Sequence, residues 1–169
     1  MKKILDAAGE ESKKLNALIR LLYNGALRIQ DAVGLTFGDI THLKLNQEGF
    51  RHLRLDAKKT TQRVIPIPQS VVDAIEAYRR ELDVSENTVM FQPGERSNPT
   101  ARWSMSLSRF FKTLGIGGQS HDLRKTRATD YYNKTKDIVK VQKFLGHSSV
   151  DMTRKYIGLG EDEMLNDVQ

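Results

Sequence analysis

Cysteine is absent from this chain of 169 residues. Neither disulfides nor thiolate metal sites can therefore contribute to stability, and a reducing compartment is the simple interpretation. Long hydrophobic runs are also absent, both at the N-terminus, where a signal peptide would need one, and elsewhere, where a membrane span would need about 20 apolar residues. These absences predict a soluble, cytoplasmic protein with no membrane partner.

The four histidines are spaced too irregularly for a metal-ligand motif such as His-Glu-x-x-His. They stand at positions 42, 52, 121 and 147. The sequence therefore implies no metal and no other cofactor.

Positive charge is concentrated in the last third of the chain. The whole sequence carries a formal net charge of +6, but the segment from Arg102 to Tyr156 has twelve Lys or Arg against four Asp or Glu, which is +8. The thirteen residues that follow contain four acids and no base. A clustered basic surface is typical of proteins that bind the phosphate backbone of nucleic acids.

Apolar residues recur at three- and four-residue steps through most of the chain, which predicts helices. Between residues 43 and 67 the apolar residues instead alternate around two turns, as in strands. The predicted fold is mainly α-helical with a small three-stranded antiparallel sheet. Helices are expected in residues 11–33 on both sides of Gly25, and over about 71–82, 103–114, 121–132, 137–145 and 149–156.

Several side chains have the chemistry that phosphodiester exchange requires. His121 and Arg124 are three residues apart, so they project from one face of a helix. An arginine can bond two phosphoryl oxygens and stays charged at any working pH, and a histidine can relay a proton near neutrality. A tyrosine such as Tyr156 can hold a DNA end covalently, so rejoining needs no nucleotide cofactor.

These motifs resemble those of the catalytic domain of the tyrosine recombinases, the phage-integrase family, which breaks and rejoins DNA through a phosphotyrosine. His121-x-x-Arg124, Leu145-Gly146-His147 and Tyr156 match the family pattern in order and spacing. Arg28 matches its first arginine, and Asp31 stands where the family has Glu or Asp. The matched region runs from about residue 15 to residue 157.

The resemblance implies a role for each matched residue. Tyr156 would attack the scissile phosphate to give a 3′-phosphotyrosine, and Arg28, Arg124 and His147 would bind the phosphoryl oxygens. His121 would assist proton transfer or hold the phosphate.

Two further residues have roles by the same resemblance. Lys59 would protonate the leaving 5′-oxygen, although Lys58 is a rival because counting back from Pro66 favours it. Asp31 would orient the residues of the site without contacting the phosphate itself.

The resemblance also implies double-stranded DNA as the partner, nucleoid association when DNA is bound, and self-association in a tetrameric synapse. It identifies no accessory DNA-bending protein. We expect residues 1–169 to form a single catalytic domain with no N-terminal core-binding domain. The alternatives are a DNA-binding or regulatory module without strand exchange, and DNA relaxation like that of a type IB topoisomerase. Tyr131 and Tyr132 are the rival nucleophiles.

Overall fold

A computed structural model describes residues 1–47, 50–55, 63–92 and 98–159, which form helices and one small sheet. The helices and strands in chain order are α1 (Lys2–Glu11), α2 (Lys13–Asn24), α3 (Ile29–Ala32), α4 (Gly38–Thr41), β1 (Phe50–Leu55), β2 (Arg63–Pro68), α5 (Gln69–Leu82), α6 (Pro99–Thr113), α7 (Ser120–Thr135), α8 (Ile138–Leu145) and α9 (Val150–Ile157).

Helix α2 lies at the centre of the fold. Its apolar residues are buried on nearly all sides, because α1, α5 and α7 all pack against it. The helix begins with a side-chain cap, in which the Ser12 hydroxyl accepts a hydrogen bond from the Leu15 N–H at 3.1 Å. Through its contact with α7, α2 supports the C-terminal helices that carry the candidate site.

The predicted mainly helical fold with a small antiparallel sheet is confirmed, but the sheet has two strands in the described residues and not three. β1 and β2 pair antiparallel, with Leu53 opposite Ile65. The expected first strand is reduced to an isolated bridge between Leu45 and Arg51. The Arg51 side chain donates from Nε to the Leu43 carbonyl at 2.7 Å, so that carbonyl is bonded to a side chain. Leu43 packs partly buried against the core, whereas Leu45 is exposed.

The N-terminal residues form a helix that the periodicity did not predict. In α1 the buried Ala8 and the partly buried Ile4 and Leu5 pack against the core. The first turns of the chain therefore belong to the same folded unit as the rest.

The C-terminal helices α7, α8 and α9 lie where helices are predicted, although α7 extends three residues beyond the predicted end. Their N-termini follow capping residues, of which Asp137 and Ser149 accept backbone hydrogen bonds through their side chains. Across the described residues, none of the helices has the length and apolar character needed to span a membrane.

Candidate active site

Tyr156, on helix α9, lies between two histidine rings. The imidazoles of His121 and His147 each meet the Tyr156 ring edge to face, with ring centroids 5.2 Å apart in both cases. His121 comes from the first turn of α7 and His147 from the turn after α8, so three helices converge on the phenol.

The Tyr156 hydroxyl is buried and, among the described residues, no group meets it at full hydrogen-bond geometry, although the Arg124 guanidinium is close enough for a hydrogen bond to lower the pKa of the phenol. Burial raises the pKa of this phenol, and the nearby guanidinium groups of Arg124 and Arg28 oppose the rise. The phenol is therefore neutral in the free protein. A buried polar atom without a fully formed hydrogen bond is rare, and it marks this hydroxyl as a functional candidate.

Arg124, one turn after His121 on α7, is only 1% exposed. Its guanidinium donates to the Ala26 carbonyl and, at 2.7 Å, to the Leu145 carbonyl. Burial, and then the charges of Arg63 and Arg28, lower its pKa to about 10, so it remains a cation at neutral pH. The two carbonyls fix the plane of the guanidinium, which has five N–H groups in all.

Arg28 follows a strained turn between α2 and α3. Ala26 has a φ of 45°, a left-handed conformation that is unusual for a residue with a side chain. The Arg28 backbone N–H donates to Asp31 Oδ2 at 3.3 Å, which holds the start of α3. The charge of Arg28 acts on Arg124 and Tyr156, so the structure brings this predicted residue to the same site.

The Leu145-Gly146-His147 motif ends helix α8 and fixes the backbone of His147. Gly146 has a φ of 67°, a conformation that glycine adopts without steric cost. The His147 N–H donates to the Gln142 carbonyl at 3.1 Å, and the Gln142 side-chain amide donates to the His147 carbonyl at 3.1 Å.

The His147 imidazole is neutral at physiological pH. Burial lowers its pKa to about 4, and the positive charges of Arg124, Arg28, Arg63 and His121 add to this effect. Its Nδ1 lies 3.1 Å from the hydroxyl oxygen of Thr153, a residue of α9.

Arg63, the first residue of β2, is a part of this site that sequence reasoning missed. It is 7% exposed and donates from Nη1 to the carbonyls of Phe144 (3.2 Å) and Leu145 (3.1 Å). Its Nη2 forms an ion pair with Asp31 at 3.4 Å. The signal was present in the sequence, because Arg63 alternates with Ile65 and Ile67 on the buried face of the strand, where a lone charge is rare.

The structure does not place the candidate acids or the rival nucleophiles at this site. Lys59 and its rival Lys58 lie outside the described residues. The rival nucleophiles lie elsewhere: the Tyr131 ring packs on Phe144 at 5.1 Å, and Tyr132 lies beside Lys136. Of the three tyrosines, Tyr156 is the one whose described ring contacts include both histidines.

A groove of about 730 Å³ opens beside His147, between β2, α7 and α8. We call it the basic groove, because four cations and, among the described residues, no acid line it; two of these cations, Arg63 and Lys140, also form ion pairs with Asp31 and Asp137. The cations are Arg63, Arg127, Lys140 and Lys143, and the apolar residues are Val64, Pro66, Tyr131 and Phe144. Within the described residues, no group of three or more His, Cys, Asp or Glu is placed to hold a metal ion.

This arrangement of arginines and histidines around a tyrosine agrees with comparisons to known proteins. The sequence pattern of the phage integrase family matches residues 1–162. The chain belongs to the phage integrase family. The match extends beyond residues 15–157, the region predicted from the motifs, and it includes α1.

Two relatives in this family are a probable integrase/recombinase, YoeC, of Bacillus subtilis and the tyrosine recombinase XerC of Herpetosiphon aurantiacus. YoeC is 33% identical over 147 residues, which cover 82% of this chain and 74% of YoeC. XerC is 28% identical over 169 residues, which cover 94% of this chain and 52% of XerC. The chain thus spans about half the length of XerC and of several other curated relatives.

The fold is also that of a solved family structure. The site-specific recombinase XerH, bound to its difH substrate in a pre-cleavage complex, matches with a TM-score of 0.77 and 19% identity over 99% of this chain and 51% of XerH.

Proposed function

We propose that this chain is the catalytic domain of a site-specific DNA recombinase that cleaves and rejoins DNA through a 3′-phosphotyrosine. One observation carries the proposal: the buried hydroxyl of Tyr156 belongs to a ring that contacts both His121 and His147 and lies beside two arginines. A nucleophile with phosphate-binding cations around it is the arrangement that phosphoryl transfer needs.

The scissile phosphate would be bound by Arg28, Arg124 and His147. The guanidinium of Arg124 is held at two backbone carbonyls, so its remaining N–H groups have a fixed direction. Donors that are already oriented stabilise the charge of the transition state without reorganisation.

The cleavage step conserves the phosphodiester bond energy. The Tyr156 oxygen forms a bond to phosphorus and loses its proton, which passes through His121 to solvent. The bond from phosphorus to the 5′-oxygen breaks, and Lys59 gives that oxygen a proton. Rejoining reverses each transfer, so the cycle consumes no cofactor. Asp31 would keep Arg28 and Arg63 oriented through its hydrogen bond to the Arg28 backbone and its ion pair with Arg63.

Double-stranded DNA is the substrate that we propose. XerH, which shares the fold, is bound to DNA in its structure, and the positive charge of this chain is concentrated in the segment that carries the site. Phosphate contacts from Lys and Arg supply most of such binding.

The test is covalent capture on a suicide substrate, a duplex nicked beside the cleavage position. Since the target sequence is unknown, the duplex is first selected from random DNA that the purified protein retains. Wild-type protein should become attached to the DNA, whereas Tyr156→Phe should bind with similar affinity and form no adduct.

Tyr132→Phe is the matched control and should cleave normally. An adduct in Tyr156→Phe would move the nucleophile to another residue. DNA binding without any adduct in the wild type would favour a regulatory module, and relaxation of supercoils without exchange between two sites would favour topoisomerase activity.

We also propose that copies of the chain associate on DNA, as a tetrameric synapse requires, through the acidic C-terminal residues of one copy and the basic groove of the next. The sequence of this segment contains Glu161, Asp162, Glu163 and Asp167, and it also contains Met164, Leu165 and Val168 at a spacing typical of one helix face. The groove offers complementary cations and an apolar floor.

Deleting residues 160–169 should leave cleavage at a single site intact and impair strand exchange between two sites. A variant with the four acids changed to amides tests charge alone and should give a similar, weaker defect. Normal synaptic complexes in the deletion variant would refute this role.

A further inference from the structure

Thr153 is a fully buried polar residue whose side chain makes two hydrogen bonds. It lies on α9, three residues before Tyr156, and its relative exposure is 0%. Its hydroxyl oxygen is 3.1 Å from the Ser149 carbonyl and 3.1 Å from His147 Nδ1. Thr153 thus links the histidine after α8 to the helix that carries the tyrosine.

The two contacts of this hydroxyl determine where the His147 proton is. A carbonyl can only accept, so the single hydroxyl proton is directed to Ser149, as in many helical threonines. The hydroxyl oxygen must then accept in its contact with His147, which makes Nδ1 the donor. A neutral imidazole has one N–H, so Nε2 carries the lone pair.

We propose that Thr153 is a positioning residue, which holds His147 as the Nδ1–H tautomer and leaves Nε2 as the ring nitrogen available to the substrate. The assignment rests on the proposed function for its effect on cleavage, but the tautomer itself is a property of the free protein. The charges around the ring, from Arg124, Arg28, Arg63 and His121, disfavour the doubly protonated form and so make the choice of tautomer matter.

This tautomer determines how His147 can bind a phosphate. In the free protein Nε2 is an acceptor. The negative charge of a bound phosphate favours the uptake of a proton from solvent, after which Nε2 donates to a phosphoryl oxygen. Without the Thr153 hydroxyl, Nδ1–H would lose its acceptor in a buried setting, and the ring would favour the other tautomer or another orientation.

The experiment compares Thr153→Val, which replaces the hydroxyl by a methyl group of similar size, with Thr153→Ser, which keeps it. Nitrogen-15 NMR of the imidazole at pH 7 reports the tautomer, and the first-order cleavage rate at saturating DNA reports the chemistry. Thr129→Val is a matched control, because the Thr129 hydroxyl also donates to a carbonyl four residues earlier, at 3.1 Å, but lies on α7 away from His147.

Wild type, Thr153→Ser and Thr129→Val should show a protonated Nδ1. Thr153→Val should lose the Nδ1–H signature. It should also cleave about 10- to 100-fold more slowly, because the imidazole is no longer anchored to α9; this is the range for removing groups that orient functional histidines in metal sites. DNA affinity should change little, since a fully buried hydroxyl cannot reach a phosphate.

A folded Thr153→Val protein that keeps the Nδ1–H signature, or that cleaves within twofold of wild type, would overturn the proposal. If Thr153→Val fails to fold, a Nε2–H signature in wild type or a loss of cleavage in Thr153→Ser would overturn it instead. If wild type shows the Nδ1–H signature but forms no adduct, the tautomer assignment stands and the proposed recombinase activity fails.

Discussion

Replacing Arg124 by lysine tests whether the fork of the guanidinium is needed or only its charge. The guanidinium bonds the Ala26 and Leu145 carbonyls at once, whereas a lysine ammonium is a single nitrogen and cannot occupy both places. The Leu145 carbonyl would stay paired, because Arg63 also donates to it at 3.1 Å. The Ala26 carbonyl would lose the bond from Arg124.

The structure sets the size of the two expected effects. A hydrogen bond to a charged group contributes about 1.5–3 kcal/mol, so the free energy of unfolding should fall by about 2 kcal/mol. Loss of an oriented transition-state donor should slow cleavage by about 100- to 1,000-fold. A domain with about 5–15 kcal/mol of stability stays folded after such a loss, so unfolding cannot account for the slower cleavage.

Two assays separate these effects. Urea unfolding followed by circular dichroism measures the stability, and the suicide substrate at saturating DNA measures the cleavage rate. Lys125→Arg, at the adjacent exposed position, is the control and should change stability by less than about 0.5 kcal/mol. An Arg124→Lys protein that cleaves within threefold of wild type would show that the fork is unnecessary, and unchanged stability would contradict the two-carbonyl bridge.

Three further predictions concern the acid, the neutral histidine and the substrate. Lys59→Ala should be rescued by DNA with sulfur in place of the 5′-bridging oxygen, since a thiolate leaves without a proton; rescue of Lys58→Ala alone would move the role by one residue. In the folded protein the pKa of His147 is about 4, below its ordinary value of 6.5. Between pH 4 and pH 6.5 the unfolded chain therefore binds more protons at this residue than the folded protein does. The free energy of unfolding should therefore fall as pH drops from 6.5 to 4, and a urea series should show a shallower fall in His147→Asn. DNA binding should weaken steeply with added salt, while cleavage persists in EDTA; loss of cleavage in EDTA would contradict the metal-free mechanism.

Most of the longer helices were predictable from sequence because their burial is periodic and local, whereas α1 and the single turn of α4 were not predicted. The stripes of α2 and α8 follow from the spacing of apolar residues, whereas α7, which ends at Thr135 and not at about residue 132, has no such stripe. The third strand was predicted wrongly because alternation at Leu43 and Leu45 does not reveal that the Arg51 side chain takes the Leu43 carbonyl. That contact is decided by tertiary structure.

Sequence reasoning could select candidate residues where the side chain has the functional group that the reaction needs, as for Arg124, His147 and Tyr156. Residues that act through others carry no such signal: Thr153 is one threonine among several, and its importance depends on the position of His147 in space. Arg63 was visible only as a charge on the buried face of a strand.

The end of helix α8 explains why buried arginines and a Leu-Gly-His turn occur together. The last four carbonyls of a helix lack partners within it, and the negative end of the helix dipole lies there. In α8 the Gln142 and Lys143 carbonyls accept from the N–H groups of the following turn, while Arg63 takes the Phe144 carbonyl and shares the Leu145 carbonyl with Arg124. The helix end thus stabilises two adjacent cations that would otherwise repel each other. It also orients the guanidinium of Arg124, so that the phosphate binding proposed for this residue would order fewer side chains.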